Sequence, residues 1–283
     1  MIKIITVIWS IIISLAACRS GVKKNEIATE SRDNFSYDIH TPDKRYELPK
    51  KLKEISGVAA VNDSIIACVA DEKGVVYFFN LNSNDIDNKI YFSDKGDFED
   101  LTIIGDTIYV LDSKGVIWSI KKFMQRPTIS SVQLNIDKPF ELEGICHRAD
   151  TLFVAAKYYH NKKRDSEGRL PIWKMSMPLM QVDIPFFDLP DIVKAPNGVS
   201  SPFHTSALIF DEINKEWIFI STHSKWMIRC GYSGNILFTQ SLSAQEFTQP
   251  EGICFTPSGN LLISNEGREG IASILLFTRK NMR

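Results

Sequence analysis

A short acidic or serine-containing signature returns five times along this chain, each time opening the same strand–turn–strand pattern. The copies are Glu54-Ile55-Ser56-Gly57, Asp97-Phe98-Glu99-Asp100, Glu141-Leu142-Glu143-Gly144, His204-Thr205-Ser206-Ala207 and Gln249-Pro250-Glu251-Gly252. Their third positions, residues 56, 99, 143, 206 and 251, lie 43, 44, 63 and 45 residues apart. A period in the mid-forties is the length of one four-stranded propeller blade. The second copy continues as Leu101–Ile104, Gly105-Asp106, Thr107–Leu111, Asp112–Gly115 and Val116–Ile120. Apolar runs of this length, bounded by Asn, Asp and Gly, are buried strands joined by tight turns. Long helical periodicity is absent after the N-terminus, so the expected fold is an all-β propeller.

About thirty residues follow Glu251, enough for three strands. The segment from Phe35 to Leu48 is then expected to supply the missing outer strand and close the ring, which removes exposed sheet edges. The 63-residue interval reads as one blade carrying an insertion around Tyr158 to Ser201, rich in Lys, Arg and Pro and containing Trp173. Five blades are predicted, with six, one of them degenerate, as the alternative.

Hydrophobic residues at 44% and charged residues at 24% suit a single globular unit, here residues 35–283. A net charge of -1 argues against a nucleic-acid binder, and a monomer is expected. Lys3, the apolar stretch Ile4–Ile13 and Ser14-Leu15-Ala16-Ala17-Cys18 read as a signal peptide rather than a spanning helix. The ending Leu-Ala-Ala-Cys resembles the bacterial lipoprotein box. That resemblance implies cleavage after residue 17 and lipidation of Cys18, with residues 18–34 as a polar tether. Arg19, where an acidic residue would favour the inner membrane, points to the outer one, facing the periplasm or the cell surface. Export permits disulfides among Cys68, Cys146, Cys230 and Cys254, but the spacing does not demand them. Buried free thiols are the favoured reading, and Cys146 and Cys254 are not expected to meet.

In a propeller the innermost strand of each blade lines the channel, and residues two apart on a strand face the same way. The signatures therefore predict an inner ring of Ser56, Glu99, Glu143, Ser206 and Glu251. An outer ring of Glu54, Asp97, Glu141, His204 and Gln249 should lie roughly 6–7 Å away along the axis. Carboxylates converging on one axis repel one another, and a cation or protonation has to resolve this. Because the inner ring offers only oxygen, Ca²⁺ is the expected metal, with Mg²⁺ second. The competing reading is a solvated, idle channel mouth.

Antiparallel second strands return to that same mouth, which brings Asp71-Glu72, Asp112, Lys157, His223-Ser224-Lys225 and Asn265-Glu266 around it. For a single residue ordinary turn chemistry explains the identity. Together they suggest a pocket of mixed charge above the metal, suited to a small anionic ligand or an envelope protein. Its expected residues are Glu54, Asp97, Glu141, His204, Lys157, Lys225 and Glu266.

The order Glu-Ile-Ser-Gly, Phe-Glu-Asp-Leu, Leu-Glu-Gly-Ile, Thr-Ser-Ala-Leu and Pro-Glu-Gly-Ile resembles the SdiA-regulated family of exported bacterial β-propellers over roughly residues 45–280. That resemblance implies a central calcium site and no assigned reaction. More distantly, the inner-ring order Ser, Glu, Glu, Ser, Glu is similar to calcium-activated nucleotidases (apyrases), whose long interblade insertions and basic substrate loops this chain lacks. Two functions follow as expectations. One is a membrane-tethered binding module. The other is a Ca²⁺-dependent hydrolase of a phosphate ester or nucleotide, with Asp71, Asp112 and His223 as candidate bases. No compact nucleophile motif is present.

Overall fold

The computed structural model describes residues 35–136, 140–159, 168–176, 181–182, 185–194 and 198–280. Residues 1–34, including Cys18, lie outside them. Strand β1 (Lys44–Glu47) comes first. Blade one is β2 (Ile55–Ala60), β3 (Ile65–Ala70), β4 (Lys73–Asn80) and β5 (Asp85–Lys95). Blade two is β6 (Phe98–Ile104), β7 (Thr107–Asp112), β8 (Val116–Lys121) and β9 (Thr128–Gln133). Blade three has β10 (Phe140–Arg148), β11 (Thr151–Tyr159) and β12 (Arg169–Ser176), with β13 (Gln181–Val182) and β14 (Phe187–Pro190) both paired to β12. A separate hairpin joins β15 (Ile192–Lys194) to β16 (Ser200–Pro202). Blade four is β17 (Ala207–Asp211), β18 (Glu216–Ser221), β19 (Trp226–Cys230) and β20 (Ile236–Ser241). Blade five is β21 (Pro250–Phe255), β22 (Leu261–Asn265) and β23 (Ser273–Phe277), with β1 antiparallel to β23 as its outer strand. The ring of five blades, closed by an N-terminal strand, is the architecture that the repeat predicts.

Five buried apolar clusters hold the ring, one between each pair of neighbouring blades. Alternation along β3 shows why its sequence is apolar throughout. Ile66 and Cys68 enter the cluster shared with blade five, while Ala67 and Val69 enter the one shared with blade two. Both faces of an inner or middle strand are thus buried, and polar residues collect on outer strands such as the fully exposed β9. Cys254, Leu262 and Ile274 of blade five pack with Val58, Ile66 and Phe79 of blade one, which completes the closure.

The long third interval is built differently from the expected Tyr158–Ser201 insertion. Strand β12 falls inside it and is the third strand of blade three, with Trp173 buried in the cluster between blades two and three. Pro171 and Lys174 interrupt the apolar run and mask this strand in the sequence. The four cysteines of the propeller are buried and free; Cys68 and Cys254 share one cluster, Cys146 and Cys230 another. Among the described residues no helix is long and apolar enough to cross a membrane.

Candidate functional site at the channel mouth

Each signature lies at the start of an innermost strand, and four of the five third positions are β-bulges. Ile55 pairs with Ala70 and Gly57 with Val69, so Ser56 is left out of the ladder. The same shift isolates Glu99, Glu143 and Glu251. In blade four the ladder begins just beyond Ser206, whose N–H donates to the Ile220 carbonyl. A bulge re-aims one side chain and bends its strand, here repeatedly at the residues that carry oxygen. The small fourth position follows from crowding. A Cβ on Gly57 would stand 2.6 Å from Asp100 Cα of the next blade, and one on Gly252 would stand 3.0 Å from Val58 N.

The turns after the second strands do return to this mouth. Asp71 N–H donates to the Glu54 carbonyl, Ser113 N–H to Asp97 and Glu266 N–H to Gln249. Between blades, Phe98 N–H reaches the Asp71 carbonyl and Leu142 N–H reaches that of Ser113.

The structure divides the predicted inner ring among several partners. Ser56 Oγ donates to the Phe98 carbonyl at 2.6 Å. Glu143 Oε1 lies 2.7 Å from Lys157 Nζ, while its buried Oε2 has no hydrogen-bond partner among the described residues. Thr222 Oγ1 donates to the Pro250 carbonyl and its N–H to Ser206 Oγ, and both side chains lie close enough to Glu251 to favour its charged form. Glu99 instead joins two members of the outer ring. Carboxylate oxygens of Asp97, Glu99 and Glu141 all lie within 4.8 Å of one another. This is an oxygen-only donor set of the kind a hard cation takes, and the Glu143 charge acts on Glu99 from nearby.

Burial and mutual repulsion raise the pKa values of these acids. Burial first, then the Glu143 charge, push Glu99 up to about 10. Burial likewise raises Glu143 to about 8 and Glu251 to about 7, in both cases against the pull of Lys157. Burial and a hydrogen bond shared with Asp97 raise Asp71 to about 6. Burial disfavours the ammonium of Lys157, but Glu143, Glu99 and Glu141 outweigh it and hold its pKa above the ordinary value.

The opposite side of the mouth is nitrogenous. His204 and His223 stack with centroids 4.4 Å apart. Burial, then His223 and Lys157, keep the His204 pKa below its usual range, so its imidazole is neutral at pH 7. Lys225 donates to the Thr248 carbonyl, and burial lowers its pKa. Glu266 faces Arg268 at 3.7 Å.

Among the candidate bases, Asp112 serves the backbone: Oδ2 accepts from Asp97 N–H and Oδ1 from Lys114 N–H. Asp71 is the acid joined to the cluster, and His223 stacks on His204. Sequence reasoning did not single out Ser113, whose hydroxyl donates to Asp97, nor Thr222. Nor did it single out Asp100, fully buried with its oxygens on the N–H groups of Ile145 and Leu101. The acidic fourth position of blade two, where three other copies have Gly, was the available signal for Asp100.

These features define a five-bladed β-propeller with a polar, predominantly acidic channel mouth. No protein-family model and no curated protein matches the chain, so the resemblance to SdiA-regulated propellers rests on the signatures alone. Among solved structures the chain is similar to glutaminyl cyclase of Myxococcus xanthus, at 13% identity and TM-score 0.58, over 86% of this chain and 97% of that one. It is also similar to a protein of unknown function from Bacteroides thetaiotaomicron, at 12% identity and TM-score 0.54, over 75% of this chain and 52% of that one. At these identities the likeness is one of fold, and it agrees with the propeller.

Proposed function

We propose that this protein is a binding module that takes an anionic ligand at the channel mouth. Ca²⁺ would be held by Asp97, Glu99 and Glu141 with Glu143 beside them, and Mg²⁺ would bind more weakly. The observation that carries this reading is the unpartnered, buried Glu143 Oε2 beside an oxygen-only triad, since a buried carboxylate oxygen without a partner is costly. Bound there, the cation would neutralise the acids and offer positive charge to the ligand. Lys157 stands on Glu143, His204 and Lys225 line the other side, and Ser56, Ser206 and Glu251 brace the blades behind it.

Calorimetric titration of chelated protein with CaCl₂ tests the metal. One site per chain and a raised melting temperature are expected, because a ligand specific for the folded state stabilises it. Glu99→Gln should abolish both. Absence of binding and of stabilisation in the wild type would leave a protonated, metal-free mouth and refute the reading.

The second reading, a Ca²⁺-dependent hydrolase of a phosphate ester or nucleotide, is favoured by Asp71, a carboxyl at about 6 beside the triad. Metal-dependent phosphate release from p-nitrophenyl phosphate or a nucleoside diphosphate, lost in Asp71→Asn, would establish it. The same proposal tethers the propeller to the cell envelope through lipid on Cys18, in the outer membrane. Incorporation of labelled palmitate, abolished in Cys18→Ser, is the expected result.

A further inference from the structure

The far end of the same channel is chemically unlike the acidic mouth. Two residues beyond each signature's third position stand Val58, Leu101, Ile145, Leu208 and Ile253, one per inner strand, none more than 4% exposed. They form the floor of a cavity of about 340 Å³ that opens on the opposite face of the ring. Above them Ile103, Ile209 and Phe255 continue the apolar wall. The charged residues of its lining are already engaged. Arg148 Nε lies 3.1 Å from Glu212 Oε1, and its guanidinium covers the rings of Phe210 and Tyr232. Asp211 accepts from the N–H groups of Ile213 and Asn214. Tyr37 spends its hydroxyl on the Gly259 carbonyl.

A polar ring also interrupts the apolar wall. His147 lines the cavity, with Nδ1 held 2.8 Å from Thr102 Oγ1. That contact orients the imidazole and leaves Nε2 as its second hydrogen-bonding position. Small-molecule sites are typically cavities of roughly 300–1,000 Å³ with apolar walls and a few placed polar groups. We infer that this funnel is a second binding site, for a small uncharged molecule that is mostly hydrocarbon and presents one hydrogen-bonding oxygen to His147. With Arg148 paired to Glu212 and Asp211 held by N–H donors, the lining poorly repays the desolvation of an ionic ligand. The floor of five aliphatic side chains separates this site from the acidic mouth, so the two bind independently.

The neutral dye N-phenyl-1-naphthylamine, which brightens in apolar surroundings, is the probe. Saturable one-to-one enhancement with the full chain is expected, unchanged by EDTA. Ala60→Trp fills the cavity from a partly exposed position on its wall and should cut dye affinity at least tenfold, while the melting curve remains cooperative. Displacement by 4-ethylphenol should exceed that by ethylbenzene by about two- to tenfold, the yield of one hydrogen bond. His147→Phe should erase that preference and keep dye binding. Three results overturn the proposal: no saturable binding by the wild type, undiminished binding by folded Ala60→Trp, or binding that EDTA removes, which would put the dye at the acidic mouth. A phenol preference that survives in His147→Phe removes His147 from the site and overturns its assigned role.

Discussion

Lys157 Nζ lies 2.7 Å from one oxygen of Glu143, and the other oxygen of that carboxylate is buried with no partner among the described residues. The pair is therefore half of an arrangement, a cation fastened to one edge of an acid whose other edge is unsatisfied. Lys157→Met removes the compensating charge. We expect a loss of about 1–3 kcal/mol, below the 3–5 typical of a fully buried pair because the lysine is partly exposed. Glu143→Gln in the Lys157→Met background should recover part of it. Chemical denaturation of the four-member double-mutant cycle measures the coupling, and additive losses would mean that the pair contributes nothing beyond its members.

Stability in chelator should fall as pH rises. Glu99, Glu143 and Glu251, raised from 4.5 to about 10, 8 and 7, hold protons more tightly folded than unfolded. Their contribution is complete below about pH 4.5 and is lost as pH climbs through the folded values. His204, with a depressed pKa, works oppositely and contributes above 6.5, its ordinary value. Between pH 6.5 and 9 the carboxyl effect prevails, and the melting temperature should drop by several degrees, at about 2–4 °C per kcal/mol for a domain of this size. Glu99→Gln should flatten the slope, as should saturating Ca²⁺, which takes the place of the protons. An equal slope in the variant would show that Glu99 is not the group retaining its proton.

Gly57→Ala tests the crowding at the fourth signature position. Its Cβ would meet Asp100 Cα at 2.6 Å, and backbone cannot swing aside as a side chain can. Overpacking of this kind costs about 1–3 kcal/mol. Gly105→Ala, with open space around the added methyl, reports only the strain of its positive φ and serves as the comparison. Guanidinium melts of both variants decide between crowding and backbone conformation as the source of the loss.

What the sequence revealed and what it hid divide along one line. The blade count, the ring closure and the return of second-strand turns to the signature mouth follow from spacing and antiparallel geometry, which are one-dimensional information. The partners of the ring are not. Lys157 was legible as a mouth residue at the end of β11, but its reach to Glu143 depends on side-chain paths that no spacing encodes. The bulges at Glu99, Glu143 and Glu251 are similar: an extra residue in one strand shows only against the strand beside it. Hence the grouping of Glu99 with Asp97 and Glu141, beside its inner-ring neighbour Glu143, shows only in three dimensions. Strand β12 was obscured because Pro171 and Lys174 break its apolar run.

Trp217 should be the costliest single truncation in blade four. It is fully buried, meets Phe153 and Phe210 edge-on at 4.7 and 4.8 Å, and donates Nε1–H to the Tyr232 carbonyl. Trp217→Ala should lose about 3–5 kcal/mol, and Trp217→Phe distinctly less. Urea denaturation followed by circular dichroism measures both, and equal losses would assign the effect to the missing N–H bond rather than to the cavity.

The pairing of β1 with β23 also sets a timetable. Lys44 lies opposite Leu276, roughly 230 residues further along the chain. A ribosome adding about 5–20 residues each second needs on the order of ten to fifty seconds to cover that distance. Throughout that interval β1 exists without its neighbour, while blades one to four emerge complete. Blade five is therefore the last to assemble, and a nascent chain arrested short of β23 would be an open arc with a raw edge at each end.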